Sequence, residues 1–202
     1  MRRKNFLKSI ALATAAVTML PGQLLAQARD PIRIVSGFAP GGTTDTISRI
    51  LAEHLTHELG QQVIVENKAG AGGRIGAEYV KNAKPDGKTY LIGPDGWAIF
   101  PTAMYSPATL RYDLMKDLKP VAQLVSYPLA FVVGANVPAR NLTEYAAWLK
   151  ANPKQAVFGT PAPGGQVQFV GWVVGQALGV PLAPVAYKGN APLLTDLMGE
   201  QL

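Results

Sequence analysis

The sequence predicts an α/β fold of parallel strands joined by crossover helices, laid out in two halves. Short β-branched runs alternate with stretches of helical periodicity, and glycine-rich loops separate them. The tetrapeptide Ala-Pro-Gly-Gly also occurs twice, at residues 39–42 and 162–165, each time after a strand and before a helix that ends in Leu-Gly.

The first residues read as a leader. Arg2, Arg3, Lys4 and Lys8 form a basic start, residues 10–20 are uncharged and apolar but too short to span a bilayer, and Ala26-Gln27-Ala28 offers small residues to a signal peptidase. Cleavage is expected after Ala28. Arg2-Arg3 followed by Phe6-Leu7-Lys8 is close to a twin-arginine signal with the Phe one place late, so the sequence leaves both export routes open. No Cys follows the apolar run, which excludes lipoprotein anchoring there.

Past the leader, residues 32–36 form a strand, 37–43 a Gly/Pro loop, and 45–59 a helix with Ile47, Ile50, Leu51, Leu55 and Leu59 on one stripe, closed by Gly60. Residues 63–65 make the second strand, 67–73 a second glycine loop, and 75–81 a short helix before the Pro85-Asp86-Gly87 turn. Residues 89–92 are the third strand. Two apolar runs around Ser126-Tyr127-Pro128, within residues 121–133, mark the passage between halves; the expected division is a leader at 1–28, a first lobe at 29–128 and an incomplete second lobe at 129–202. In the second half, Asn141 and Glu144 are spaced to start a helix that runs to about Lys150 and stops at Asn152-Pro153. A strand at 156–158, a glycine–proline loop at 159–165, a helix at 166–178 ended by Gly179 and an apolar run at 182–186 follow.

Composition narrows the function. The chain has 19 Lys and Arg against 13 Asp and Glu, but the leader carries four of the bases and none of the acids, leaving a net charge of +2. That is a poor footprint for nucleic acid, and nucleic-acid binding is excluded. With no cysteine, disulfides and thiolate metal sites are excluded as well, so the roughly 174 remaining residues must rely on an ordinary core.

A strand that turns into a helix through glycines exposes backbone N–H groups, and the helix dipole adds positive potential there. An anion can be held at such a turn without a cationic side chain. Glycines also simply make tight turns, but three such loops on the strand-to-helix side favour a ligand site, because α/β sheets bind ligands at the carboxyl ends of their strands. Asp45, at a helix start, is placed to cap N–H groups or to meet a ligand amine, and Thr43 and Thr44 to cap the same helix or donate to a ligand. Arg74 and Lys188 are placed either to reach a carboxylate or to stay solvated.

Enzyme motifs are missing. Residues 70–76 approach a dinucleotide fingerprint, but the third glycine falls one place late. No Walker lysine follows a loop, and there is neither a G-x-S-x-G elbow nor a Ser/His triad arrangement. His54 and His57 share a helix without a third metal ligand, and Trp97, Trp148 and Trp172 read as core residues.

These motifs together resemble the substrate-binding proteins of tripartite tricarboxylate transporters, the Bug family. Residues 38–45 (Phe-Ala-Pro-Gly-Gly-Thr-Thr-Asp) resemble its first loop and residues 65–73 (Val-Glu-Asn-Lys-Ala-Gly-Ala-Gly-Gly) its second. Residues 85–90, Tyr112-Asp113 with Lys116-Asp117, and 187–197 follow in family order, so the likeness covers essentially the whole chain after the leader. The resemblance implies a two-lobed, type II periplasmic-binding-protein fold with a ligand between the lobes. It also implies a periplasmic location, no catalysis, no cofactor, no metal, a monomeric state when complete, and delivery of a small carboxylate ligand to a separate membrane permease. Organic acids, amino acids and aromatic acids are the ligand classes, held by loop backbone and ordered water.

The ligand-binding residues it implies are Phe38, Gly41, Gly42, Thr43, Thr44 and Asp45 in the first loop and Ala71 and Gly72 in the second. From the other lobe come Thr160, Gly164, Gly165, Tyr187, Lys188 and Gly189. Gln168 stands near the place of a histidine in the family, and Gly93-Pro94-Asp95-Gly96 where Ser or Thr is common, so ligand preference does not transfer from relatives. Family members also continue beyond the point where this sequence stops. Missing return strands would expose sheet edges and apolar faces, so the isolated chain is expected to be unstable or to aggregate. A periplasmic ligand-sensing adaptor for a signalling receptor and a nonfunctional truncated remnant remain the alternatives.

Overall fold

A computed structural model describes residues 30–202, apart from the side chain of Ala98. The leader and its cleavage after Ala28 lie outside the described residues.

The first sheet has three parallel strands, β1 (Ile32–Ser36), β2 (Val63–Asn67) and β3 (Thr89–Ile92), in the order β2-β1-β3. β1 lies in the centre and is flanked on both edges, Ile34 pairing with Val65 and with Tyr90. Its apolar run follows from that position, since Ile34 and Val35 are buried on opposite faces of the strand. Helix α1 (Thr43–Leu59) crosses from β1 to β2 and ends on Gly60 in the left-handed conformation.

The buried face of α1 is not the predicted stripe. Asp45, Ser48 and Ala52 face inward, with Leu51 and Leu55 packed beside Ile34 and Val63, while Ile50 and Leu59 are 54% and 49% exposed. Small residues at the seam let the helix sit close on the sheet, so its large apolar residues flank the contact. Helix α2 (Arg74–Lys81) makes the second crossover and buries Gly76, Ala77 and Val80. The turn before β3 has Gly87 at φ +73° and the Lys88 N–H donating to Asp86 Oδ1 at 3.0 Å. β2 runs two residues farther than the sequence pattern indicated, through Glu66 and Asn67, and Glu66 is paired with Arg33 on the neighbouring strand.

Three short helices follow β3: α3 (Phe100–Met104), α4 (Pro107–Leu110) and α5 (Leu114–Asp117). Residues 119–133 then run without helix or strand, leaving Val121, Leu124, Val125, Tyr127, Leu129, Phe131 and Val132 exposed.

The second sheet is the parallel pair β4 (Val157–Thr160) and β5 (Ala183–Ala186). Helix α6 (Leu142–Ala151) starts as its spacing predicts: Asn141 accepts from the Glu144 N–H at 2.9 Å, and the Glu144 carboxylate accepts from the Arg140 N–H at 2.8 Å. Helix α7 (Gln166–Leu178) crosses from β4 to β5. Tyr145, Leu149, Val180 and Leu182 make the core here, with Trp148, Phe158 and Val174 packed against them. Helix α8 (Asn190–Met198), which the sequence pattern left unassigned, follows β5.

Candidate functional site

The two Ala-Pro-Gly-Gly loops repeat each other in three dimensions. Gly41 has φ +81° and Gly164 φ +77°, a region that glycine enters without the penalty of a Cβ. Gly42 and Gly165 come next in matching extended conformations, φ −84° and −93°, ψ 175° and 173°. Each caps its helix without a side-chain hydrogen bond, so the first-turn N–H groups of α1 and α7 point back at the loops. Both loops are also pinned in the same way. The Gly41 N–H donates to Asp45 Oδ2 at 2.9 Å and the Gly164 N–H to Gln168 Oε1 at 2.8 Å, four residues on in each case. Gln168, which departs from the family pattern, therefore holds its loop as Asp45 holds the other.

Asp45 is 3% exposed, and its two oxygens serve four donors. Besides Gly41 these are Arg49 Nε at 2.9 Å, Arg49 Nη2 at 3.0 Å and Asn67 Nδ2 at 2.9 Å. Burial acts to raise the Asp45 carboxyl, but hydrogen bonds from Arg49, Gly41 and Asn67 outweigh it and hold the group below its usual range. Asn67 also donates to the Phe38 carbonyl at 3.1 Å, so the end of β2 is tied to the first loop.

The second loop is built from four successive residues with positive φ: Gly70 (+138°), Ala71 (+49°), Gly72 (+67°) and Gly73 (+92°). The alanine among them is the strained member. Gly73 is forced by packing as well, because a Cβ there would overlap the Trp97 ring. Trp97 is 4% exposed and stacks at a tilt on Phe38, ring centroids 5.1 Å apart, with Ala162 completing the cluster.

The loops meet in pairs. The Ala39 N–H donates to the Lys188 carbonyl at 2.9 Å, Asn190 Nδ2 donates to Thr43 Oγ1 at 3.0 Å, and a Cβ on Gly189 (φ +122°) would lie 3.3 Å from Phe38. On the other side, a Cβ on Gly72 would come within 2.5 Å of the Pro163 carbonyl oxygen. First-loop residues are thus beside residues 188–191, and second-loop residues beside residues 162–164.

The remaining predicted residues are structural neighbours of these contacts. Thr160 is buried, its hydroxyl donating to the Ala162 carbonyl at 3.2 Å, and the Thr44 carbonyl accepts from Ser48. The Tyr187 hydroxyl donates to Asp196 at 2.9 Å, turned into its own segment, and Lys188 contributes its backbone carbonyl. Arg74 lies over the Tyr105 ring at 4.0 Å, and Asp95 accepts from its neighbour's Gly96 N–H. Asn67, Trp97 and Asn190 were not singled out as site residues from sequence. For Asn67 the signal was available in its place at a strand end before a glycine loop; for the other two it was not, since their neighbours are remote in the chain.

A hollow of about 430 Å³ opens beside α2, bordered by Arg74, Glu78 and Arg111, but among the predicted site residues only Ala71 touches it. Among the described residues no group of three or more His, Cys, Asp or Glu side chains could hold a metal ion, and no helix is long and apolar enough to cross a membrane. Chemically, the loops offer oriented N–H donors at two helix starts and a glycine turn, which suits an anion with more than one acceptor group.

Comparisons with known proteins find similar chains. Residues 47–202 match the tripartite tricarboxylate transporter family receptor. A UPF0065 protein of Bordetella bronchiseptica is 37% identical over 172 residues, which is 85% of this chain and 50% of that protein. The periplasmic binding protein BugD superposes with a TM-score of 0.72 at 33% identity, covering 85% of this chain and 56% of BugD. MatC from Rhodopseudomonas palustris, solved with bound malate, gives a TM-score of 0.77 at 29% identity over 85% of this chain and 58% of MatC. The fold is therefore the α/β fold of periplasmic binding proteins. The chain spans 50% to 62% of the length of the curated relatives it matches.

Proposed function

The chain belongs to the tripartite tricarboxylate transporter family receptors, and on that premise we propose that it captures a small carboxylate-bearing metabolite for a membrane permease. Residues 1–28 act as the export leader, and the protein works in the periplasm without catalysing a reaction. Residues 29–128 and 129–202 contribute the two walls of the site.

The observation that supports this reading best is the repeated loop. Two helix starts with glycine caps, one after the first strand of each sheet, carry N–H groups without a side-chain cap at Gly42 to Asp45 and at Gln166 and Val167. A carboxylate at such a start gains charge-assisted hydrogen bonds, and one at the second loop is placed beside Ala71 and Gly72. Thr43 and Thr44 supply further donors, while Asp45 and Gln168 set the loops rather than compete for the ligand. The malate bound to MatC is a ligand of the same class.

Calorimetric titration of the protein with malate, citrate, glutamate and benzoate tests the proposal. Saturable one-to-one binding of at least one of these acids is expected. Absence of heat and of thermal stabilisation with all four would overturn it.

A further inference from the structure

Trp97 Nε1 is the only buried side-chain nitrogen or oxygen without a hydrogen-bond partner among the described residues. A buried indole N–H nearly always finds an acceptor, because leaving it unpaired forfeits its hydration. This one also sits where the loops converge. Phe38 of the first loop lies against one part of the ring and Ala162 of the loop after β4 against another. The edge that carries the nitrogen faces the second loop: a Cβ on Gly73 would come within 2.5 Å of Cε2, the carbon bonded to Nε1. Gly37 and Gly93 complete the cradle, where a Cβ would crowd or overlap the far side of the same ring. Three glycines thus make room for a large ring whose one polar atom is left without an acceptor.

Resting on the carboxylate-binding reading above, we propose that Trp97 is a ligand-contacting, specificity-determining residue: its indole N–H donates to a carboxylate oxygen held at the second loop. The ring forms the apolar floor of the site together with Phe38. A carboxylate oxygen completes the unmet bond, and a bond to a charged acceptor in a buried place is stronger than one between neutral groups. A ligand that places a neutral or apolar group at the second loop leaves the N–H unpaired and is discriminated against.

Trp97→Phe keeps an aromatic ring in the cradle and removes the donor. Titrated with malate, citrate, glutamate and benzoate, the variant should bind the preferred acid of the wild-type protein about ten- to a hundredfold more weakly, while remaining folded with a somewhat lowered thermal midpoint. The second measurement needs no variant at position 97. With Trp148→Phe and Trp172→Phe used to identify the remaining indole resonance, the Trp97 N–H signal of the otherwise unaltered protein should move downfield on saturation with that acid.

Wild-type affinity in Trp97→Phe, or an indole resonance unmoved at saturation, would overturn the role of Trp97 while leaving carboxylate capture intact. If the wild-type protein binds none of the four acids, the parent reading fails and this inference falls with it.

Discussion

Gly72→Val should abolish carboxylate binding, lowering affinity more than a hundredfold, while far-UV circular dichroism stays close to wild type. Two independent effects act on the same residue. Its φ of +67° lies in the left-handed region, which costs an L-residue about 1–2 kcal/mol and a β-branched one more. Its Cβ would also lie 2.5 Å from the Pro163 carbonyl oxygen, and backbone on both sides leaves little room to yield. The second loop must therefore move away from residues 162–164, and the N–H groups at Ala71 and Gly72 move with it. No helix is involved in the clash, so helical content survives. Undiminished affinity in this variant would remove the second loop from the site. Gly72→Ala shares the strain and the short contact without the branched side chain, and should fall between the two.

The second large effect is expected at Asp45. Asp45→Ala leaves the Gly41 N–H without its acceptor and the Asn67 amide with only the Phe38 carbonyl, and should cost about 3 kcal/mol of stability near neutral pH. The loss should depend on pH with a definite sign. The folded-state carboxyl is held below its ordinary value of 3.8, so its contribution is fully present above that value and declines as pH falls through the lower folded-state value. Urea unfolding of wild type and Asp45→Ala should therefore differ most at about pH 7, with the gap narrowed at about pH 3. Glu66, lowered by the Arg33 and Lys68 partners that outweigh its burial, titrates in the same direction in both proteins and cancels from the comparison. A gap that is the same at both pH values would mean that the ionised carboxylate is not what holds the loop.

Much of the fold was legible because its signals are local. β1, β3 and α7 begin and end where alternation, turn residues and glycine caps place them, and the Asn141–Glu144 pair opens α6 through contacts three and four residues apart. The errors arise where distant parts decide. Ile50 and Leu59 fit a helical stripe, yet the sheet selects Asp45, Ser48 and Ala52 because a close approach favours small side chains. The four- and five-residue helices after β3 are too short to show a period, and α8 begins between Gly189 and Pro192, which read as breakers.

The site divides along the same line. Glycine loops are visible in sequence because their backbone requires glycine, and the Ala-Pro-Gly-Gly repeat proved to be a repeat of conformation. The partners of those loops are set by tertiary structure. Gln168 stands three residues past the repeat, as Asp45 does, so its place was open to view there, whereas nothing near Trp97 announces that Gly37, Gly73 and Gly93 surround it.

The central claim is that a carboxylate is held by backbone N–H groups of loops from both halves. Titration of isotope-labelled protein with malate, or with another of the four acids that binds more tightly, tests it through the amide resonances. Those of Gly42, Thr43, Gly72 and Gln166 should shift together and saturate at one equivalent. Saturable binding that leaves these four unmoved and perturbs residues around Arg74 and Arg111 instead would place the ligand in the hollow beside α2 and contradict the account.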